Sequence, residues 1–288
     1  MANITSAFVE DYKDSIIHLA QQGEARLRPH VMEVPSHGEH YNFDRMAPTN
    51  AVEKTARRLD TVYVDEDLDR RVASPRTFTH TLTFEREDQV QMIADPRTNF
   101  AHNQAMAMRR RYDQSIVEAA TGTALDGTGA NVAFPAGQVV GDGTGAISFT
   151  LVSQVQELFL SNDIMTDEPK VMVVGPVQVR QMMAEAKATS RDFVDGGALD
   201  KLATYGITPN FMGFTWIMSN LLQAPAAGEL SCLAFTRQAI GLAVNHDVEV
   251  IIDRNPSKSY MYQVFAQWTA GCVRVEDEQI VHLHVLDS

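Results

Sequence analysis

The longest regular spacing of apolar residues in the chain lies between Asp95 and Gly122. Apolar side chains recur there at steps of three and four, which places them on one face of an α-helix. The members of this stripe are Ala101, Ala105, Met108, Tyr112, Ile116 and Ala119. Asp95 and Pro96 suit the N-cap and the first helical position, and Gly122 suits a left-handed C-cap. The pattern predicts a helix over residues 96–121, roughly 35–40 Å long. It is either a spine that carries sheets or a long packing helix of an enzyme.

The segment before this helix carries several other patterns. Helical spacing marks residues 1–27, ending near Gly23, and residues 85–93, which lead into the long helix. A short amphipathic helix at a terminus is marginal alone, so the first one must pack on its own core or on a neighbouring subunit. Alternation of apolar and polar residues predicts a strand at 77–84. Shorter candidate strands lie at 31–34, 41–46, 61–64 and 70–73.

Residues 49–76 are crowded with charges of both signs and contain few large apolar side chains. Such a segment cannot build its own core, and structureless loops of this length are uncommon in compact domains. It is either a solvated loop or an extended hairpin that projects from the body and pairs its charges with another subunit, and the length favours the hairpin. The candidate inter-subunit residues are Arg57, Arg58, Asp65, Glu66, Asp67, Arg70, Arg71 and Arg76.

The second half of the chain shows a mixed α/β pattern. A glycine-punctuated stretch at 123–146 predicts strand and turns, and the continuous apolar run at 171–174 is typical of a buried strand. Helices are predicted around 151–159 and after Pro176, and residues 187–200 are predicted to form a mobile loop. Residues 261–271 fit either a strand or a helix. Further strands are expected from 207, at 214–218, 233–235, 248–253, 272–275 and 280–285, with strand and short helix at 238–244.

Composition narrows the classes of protein that fit. The 288-residue chain carries a formal charge of −13 and two cysteines, Cys232 and Cys272. Its length allows one large domain or two smaller ones. The acidic balance argues against a protein that grips nucleic acid through its phosphates. No run approaches the ~20 apolar residues of a membrane helix, and the N-terminus lacks the features of a signal peptide. The cysteines are therefore predicted to be reduced thiols in a cytosolic setting.

None of the short motifs predicts a catalytic residue, a metal ligand or a cofactor site. GDGTG at 141–145 lacks the lysine of a P-loop and the spacing of a dinucleotide fingerprint, so it is interpreted as a turn. Histidines at the N-terminal end are interpreted as solvated and those on the last strand as structural. They are His30, His37 and His40, and then His282 and His284. The absence of nucleophile and zinc motifs lowers the case for an enzyme without excluding one.

Three stretches of the second half resemble recurring segments of tailed-phage major capsid proteins. In KLATYGITPNFMGFTWIMSNLL at 201–222, a Gly-Ile strand leads to a Gly-Phe turn, a short strand and a Ser-Asn-x-Leu end. LAFTRQAIGLAVNHDVEVIID at 233–253 is similar to the family's Phe-x-x-x-Ala-Ile/Val-Gly-Leu-Ala segment, and GCVRVEDEQIV at 271–281 is similar to its closing Gly-x-x-Arg segment. The matching positions are Gly206, Ile207, Gly213, Phe214, Ser219, Asn220, Leu222, Phe235, Ala239, Ile240, Gly241, Leu242, Ala243, Gly271 and Arg274.

This resemblance implies the Hong Kong 97-like capsid fold, an α+β architecture. It implies an N-terminal arm at 1–29 that laces neighbours together and an extended β-hairpin loop at 30–84 that lies over the adjacent subunit. The peripheral domain would comprise 85–147 and 254–288, with the spine helix at 96–121. The mixed α/β axial domain would comprise 148–253 and meet its copies around five- and six-fold axes. The residues expected in capsomer-axis loops are Arg191, Asp192, Asp195, Asn255 and Lys258.

The implied function is that of a major capsid protein, which self-assembles as pentamers and hexamers into the icosahedral head of a tailed double-stranded DNA phage. It would be a virion component assembled in the host cytoplasm. Expected partners are further copies, separate scaffolding, portal and decoration proteins, and enclosed DNA bound without sequence specificity, with no membrane. Because the chain begins directly with the arm, the scaffold is expected to be separate or dispensable. The run Arg109, Arg110 and Arg111 on the spine helix lies either on an inner, DNA-facing wall or against a neighbour's acidic loop.

Two alternatives stay open at this stage. An encapsulin-type nanocompartment shell protein shares the fold but encloses enzyme cargo. A soluble α/β enzyme predicts a small assembly with a concave polar pocket. For a capsid protein, we expect that reversing Arg70 and Arg71 to Glu impairs assembly and leaves the monomer fold intact, because exposed charges set register more than strength.

Overall fold

A computed structural model of the chain describes residues 22–55, 57, 63–85, 97–164, 168–185, 201 and 205–287. The chain divides into two units. Unit 1 consists of Met1–Ala25, Arg76–Tyr112 and His246–Thr269. Unit 2 consists of Arg26–Pro75, Asp113–Asn245 and Ala270–Ser288. Each unit is therefore built from three separate stretches of sequence.

The described residues form a mixed helix and strand fold, as predicted. The α-helices are α1 at Arg97–Thr121, α2 at Phe149–Ser161 and α3 at Pro176–Ala184. The strands are β1 at Met32–Pro35, β2 at Tyr41–Met46, β3 at Leu68–Ala73, β4 at Arg76–Phe84, β5 at Ala124–Leu125, β6 at Asn131–Val132, β7 at Val139–Val140, β8 at Lys170–Val174, β9 at Ile207–Phe211, β10 at Phe214–Met218, β11 at Glu229–Thr236, β12 at Ile240–Asn255, β13 at Met261–Arg274 and β14 at Ile280–Leu286. Short 3-10 turns occur at Arg28–His30 and Ala136–Gln138.

The long helix α1 confirms the predicted spine, and its apolar stripe is the buried face. Met108, Tyr112 and Ile116 are almost fully buried. The predicted left-handed C-cap is wrong, because Gly122 has no positive φ. Its N–H instead bonds the Glu118 carbonyl at 2.9 Å, and a Cβ there would lie 2.7 Å from that oxygen. Gly122 thus allows main-chain atoms of the last helical turn to lie closer together than a residue with a Cβ would permit. The proposed N-cap residues 95 and 96 lie outside the described residues.

A six-stranded mixed sheet forms the core of unit 2, in the order β7-β14-β11-β8-β10-β9. Strand β8 lies in its interior, parallel to β10 and antiparallel to β11, and all five of its residues are buried. This agrees with the continuous apolar run read from the sequence. Helices α2 and α3 contribute Val155, Phe159 and Met182 to the same core. Strands β7 and β14 join this sheet although they lie outside residues 148–253.

Aromatic stacking on α1 forms the core of unit 1. The rings of Tyr112 and Trp268 stack at 4.0 Å, and Phe78 of β4 stacks on Trp268 at 4.9 Å. Gln104 donates to the Val264 carbonyl at 3.1 Å, and the Tyr112 hydroxyl donates to Asp247 at 3.0 Å. These contacts hold β4, β12 and β13 against the helix within this unit.

Several predicted elements change when the strands are traced. Residues 261–271 are strand throughout, as part of β13. The separate elements predicted at 238–244 and 248–253 are one 16-residue strand, β12. Residues 63 and 64 of the predicted strand at 61–64 are not in a strand. The predicted short helix at 85–93 and the loop at 187–200 fall almost wholly outside the described residues.

Candidate assembly surfaces

The hairpin formed by β2 and β3 is anchored at one end and exposed at the other. The two strands pair antiparallel from Tyr41 opposite Ala73 to Met46 opposite Leu68. Ala73 and Phe43, near the base, are buried, while Met46 and Leu68 are 61% and 71% exposed. Beyond them, every described residue of 47–55, 57 and 63–67 is exposed. The hairpin thus presents a long segment that has no core of its own, as the charge pattern predicted.

Most of the predicted loop charges lie on this exposed part. Arg70 is 53% exposed and its Nε lies 3.4 Å from the Asp44 carboxylate, itself 70% exposed. A pair this exposed contributes little to stability. The remaining exposed loop charges are Arg57, Asp65, Glu66, Asp67 and, at the start of β4, Arg76. Arg58 lies outside the described residues.

Arg71 differs from its neighbour, and the expectation for it was wrong. Its side chain is only 5% exposed, and its Nη2 bonds the Asp277 carboxylate at 3.1 Å. Arg45 adds a second tie, from its Nη1 to the Val275 carbonyl at 2.9 Å. Reversing Arg71 would leave two carboxylates facing each other in a water-poor site. Arg71 therefore anchors the hairpin base within its own subunit.

Asp277, which the sequence analysis missed, links this anchor to a second buried arginine. Arg274 is fully buried and its Nε donates to the other carboxylate oxygen of Asp277. Its remaining nitrogens donate to the carbonyls of Gly122, at 2.7 Å, and Val132, at 3.0 Å. A buried guanidinium requires such a full set of acceptors. The Gly-x-x-Arg segment thus ties the end of the spine helix to the β13–β14 turn.

A stacked histidine completes this cluster. The ring of Phe134 lies 5.1 Å from the Arg274 guanidinium and stacks on His282 at 3.7 Å. The Nε2 of His282 lies 3.2 Å from the Ala120 carbonyl oxygen, to which it donates. Burial lowers the pKa of His282 to about 4, and the positive charges of His284 and Arg274 act in the same direction. Its role is therefore structural, as predicted.

Two glycines of the recurring segments serve close packing. A Cβ on Gly241 would lie 2.5 Å from the ring of Phe43, so the glycine leaves room for a hairpin side chain. A Cβ on Gly271 would lie 2.8 Å from main-chain atoms of Ser74 and Pro75. Both glycines permit the hairpin base to approach β12 and β13.

The arginines of the spine helix have partners within unit 1. Arg109 is exposed, yet its Nη1 donates to the Gly23 carbonyl at 3.1 Å. The guanidinium of Arg111 lies 4.5 Å from the centre of the Phe78 ring, a cation–π contact. Arg110 is half-buried. Two of the three arginines therefore have a structural role inside the subunit.

The predicted capsomer-axis residues fall in two groups. Arg191, Asp192 and Asp195 lie outside the described residues. Asn255 and Lys258 lie at the turn between β12 and β13. Asn255 orders this turn, since its side-chain Oδ1 accepts from the Ser257 N–H at 3.0 Å and its side-chain NH₂ donates to Gln263 Oε1 at 3.0 Å.

The remaining candidate residues are the N-terminal histidines and the two cysteines. Within the described ranges, no three histidine, cysteine or acidic side chains lie together in a way that could hold a metal ion. His37 and His40 are exposed, whereas His30 is half-buried and burial lowers its pKa, so its interpretation as solvated was wrong. Both cysteines are free thiols. No helix in the described part of the chain could span a membrane.

The spine helix, the mixed sheet and the projecting hairpin define the class: a subunit with the Hong Kong 97-like fold of phage shells. The model of the phage capsid protein family matches residues 4–286, and the chain belongs to that family. It is thus a major capsid protein of a phage head, a virion component that assembles with further copies into a shell. This membership favours the phage capsid over the encapsulin-type alternative and over a soluble enzyme.

Solved structures agree on the fold. The capsid of Cyanophage P-SCSP1u matches with a TM-score of 0.74 at 14% identity, covering 100% of this chain and 96% of that one. Mycobacterium phage Che8 matches with a TM-score of 0.69 at 16% identity, covering 95% and 96%. The capsid of a native GTA particle matches with a TM-score of 0.68 at 14% identity, covering 99% of both chains. A comparison with curated protein sequences finds no match.

Proposed function

We propose that the chain assembles as pentamers and hexamers into the icosahedral head of a tailed double-stranded DNA phage. The single observation that carries this proposal is the hairpin β2–β3, buried and ion-paired at its base and exposed beyond Met46. Ordering a segment that buries nothing of its own costs conformational entropy, and contacts with a partner can offset that cost. In a shell of identical subunits, that partner is the adjacent copy.

The parts of the subunit would divide the work of assembly. The exposed end of the extended loop, residues 30–84, would lie over the adjacent subunit, while β1 and β4 stay in the sheet of their own chain. The N-terminal arm, residues 1–29, would lace neighbours together. The peripheral domain would be built on α1, and the axial domain on the six-stranded sheet, including β7 and β14. Near the capsomer axis, neighbouring copies would be contacted by Arg191, Asp192 and Asp195 and by the turn with Asn255 and Lys258.

The charge of the chain suits a container for DNA. A formal charge of −13 disfavours tight binding to phosphates, so packaged DNA would be enclosed without sequence-specific contacts. The intrachain partners of Arg109 and Arg111 also argue against a dedicated DNA-binding patch on the spine helix. Assembly would take place in the host cytoplasm with separate scaffolding, portal and decoration proteins.

Adjacent arginines of β3 offer a matched pair of variants to test the role of the loop. For Arg70→Glu, we expect a melting temperature close to that of the wild type and a several-fold lower yield of particles, because this exposed charge contributes little within the subunit. Arg70→Lys, which keeps the charge, should assemble normally. For Arg71→Glu, we expect the subunit itself to lose roughly 3–5 kcal/mol of stability.

Thermal unfolding of the soluble subunit and particle yield by sedimentation separate the two effects. Normal particles from Arg70→Glu would show that this charge is merely solvated. An unchanged melting temperature for Arg71→Glu would contradict its placement in the buried ion pair.

A further inference from the structure

A buried aspartate in the middle of the spine helix accepts hydrogen bonds from the main chain of a segment that is distant in sequence. Asp113 is fully buried, and both of its carboxylate oxygens accept from main-chain donors. Its Oδ2 lies 2.9 Å from the Arg26 nitrogen, and its Oδ1 lies 3.0 Å from the Leu27 nitrogen. A carboxylate that receives two consecutive N–H groups fixes the path of that chain in both position and direction.

The two main-chain hydrogen bonds, and not helix propensity, explain the aspartate at position 113. Aspartate is a poor former of helix interiors, and an isolated buried carboxylate is strongly disfavoured. Asparagine has a similar shape, but it offers one acceptor oxygen and would aim an NH₂ group at the other N–H. Aspartate instead offers one acceptor oxygen to each of the two donors.

The segment is also held from its far side. The guanidinium of Arg26 donates to the Met218 carbonyl at 2.7 Å, and Gly206, with a φ of +72°, leaves room for that guanidinium. A Cβ on Gly206 would lie 3.1 Å from the Arg26 Nη1. Leu27 is fully buried, and its carbonyl accepts from the His30 N–H at 2.9 Å, which begins the following turn. These contacts therefore fix the main-chain path of residues 26–30.

We propose that Asp113 is a positioning residue for shell assembly. It fixes the main chain of Arg26 and Leu27, which belong to the N-terminal arm, so that each copy delivers the arm to its neighbour from the same place. This inference rests on the proposed role of the N-terminal arm. If Asp113 served only the fold, any substitution that preserves the stability of the subunit would also preserve assembly.

Hydrogen exchange and particle yield, measured on the full chain, test the two halves of the proposal separately. In Asp113→Asn, the amides of Arg26 and Leu27 should exchange at least about tenfold faster, while those of β8 stay protected. Particle yield should fall several-fold although the soluble subunit stays folded. Gln114→Ala, at the exposed neighbouring position of the same helix, is the matched control and should change neither quantity.

Each outcome has a distinct meaning. Unchanged exchange at Arg26 and Leu27 in the aspartate variant would overturn the contact with Asp113 itself. Faster exchange with normal particles would overturn the positioning role, while the capsid function would stand on the wild-type particles. If Asp113→Asn does not fold, hydrogen exchange of the wild-type chain takes its place. Amides of Arg26 and Leu27 that exchange there as fast as exposed amides would overturn the contact with Asp113.

Discussion

Two neighbouring arginines of one strand have different roles in this protein because their environments differ. Successive side chains of a strand point to opposite faces, so Arg70 and Arg71 of β3 meet different surroundings. Arg71 lies in a buried pair with Asp277, whereas Arg70 lies at the surface beside Asp44. Reading residues 49–76 as one charged loop obscured this difference, because no apolar residues alternate there to reveal the inward face. The charge run therefore contains both a fold anchor and candidate contact residues.

His282 gives the subunit a predictable sensitivity to acid. Its pKa in the folded chain is about 4, below the ordinary 6.5, so the folded state favours the neutral ring. The contribution of His282 to stability should thus be constant above pH 6.5 and should fall as the pH drops from there towards 4, by roughly 3 kcal/mol at most. Denaturant unfolding between pH 7.5 and 4.5 measures this slope.

His282→Gln, which cannot titrate, is the control for that slope. It should be less stable at neutral pH, since the stack on Phe134 is lost, and its stability should depend less on pH over the same interval. An equal slope in both proteins would mean that other groups account for the acid sensitivity.

At the scale of elements, the sequence predicted those that depend on local pattern. The buried strand β8, the strand β10 and the apolar face of α1 follow directly from apolar runs and spacing. The strand β13 could not be separated from a helix, because one of its two partners, β4, lies far away in sequence. The Arg274–Asp277 cluster was likewise hidden, since its acceptors at Gly122 and Val132 are brought close only by the fold.

The junction between the hairpin base and β13 should depend on Gly271. In Gly271→Ala, the new Cβ would lie 2.8 Å from main-chain atoms of Ser74 and Pro75, which cannot move as a side chain could. We expect a loss of roughly 1–3 kcal/mol in the free energy of unfolding. Gly137→Ala is the control, because a Cβ there meets nothing within 4 Å.

Equilibrium denaturation of the soluble subunits compares the two variants. If Gly271→Ala proves as stable as Gly137→Ala, the hairpin base does not pack against β13 as closely as described. A loss confined to Gly271→Ala supports a rigid junction from which the hairpin projects.

At the scale of the whole molecule, the subunit combines well-packed units with a segment that has no packing of its own. The exposed hairpin end carries charges of both signs and the apolar side chains Met46, Leu68 and Tyr63, the last 88% exposed. Such a surface is unfavourable in an isolated subunit and favourable when many copies bury it together. Membership of the phage capsid protein family places the chain in a shell of many copies, and we propose that a further copy covers this surface.

The most direct measurement is electron microscopy of particles formed by the purified chain, alone and with a co-expressed scaffold. The account predicts closed shells, or free pentamers and hexamers that convert to shells. A chain that stays monomeric or forms only a small discrete oligomer under every such condition would contradict it.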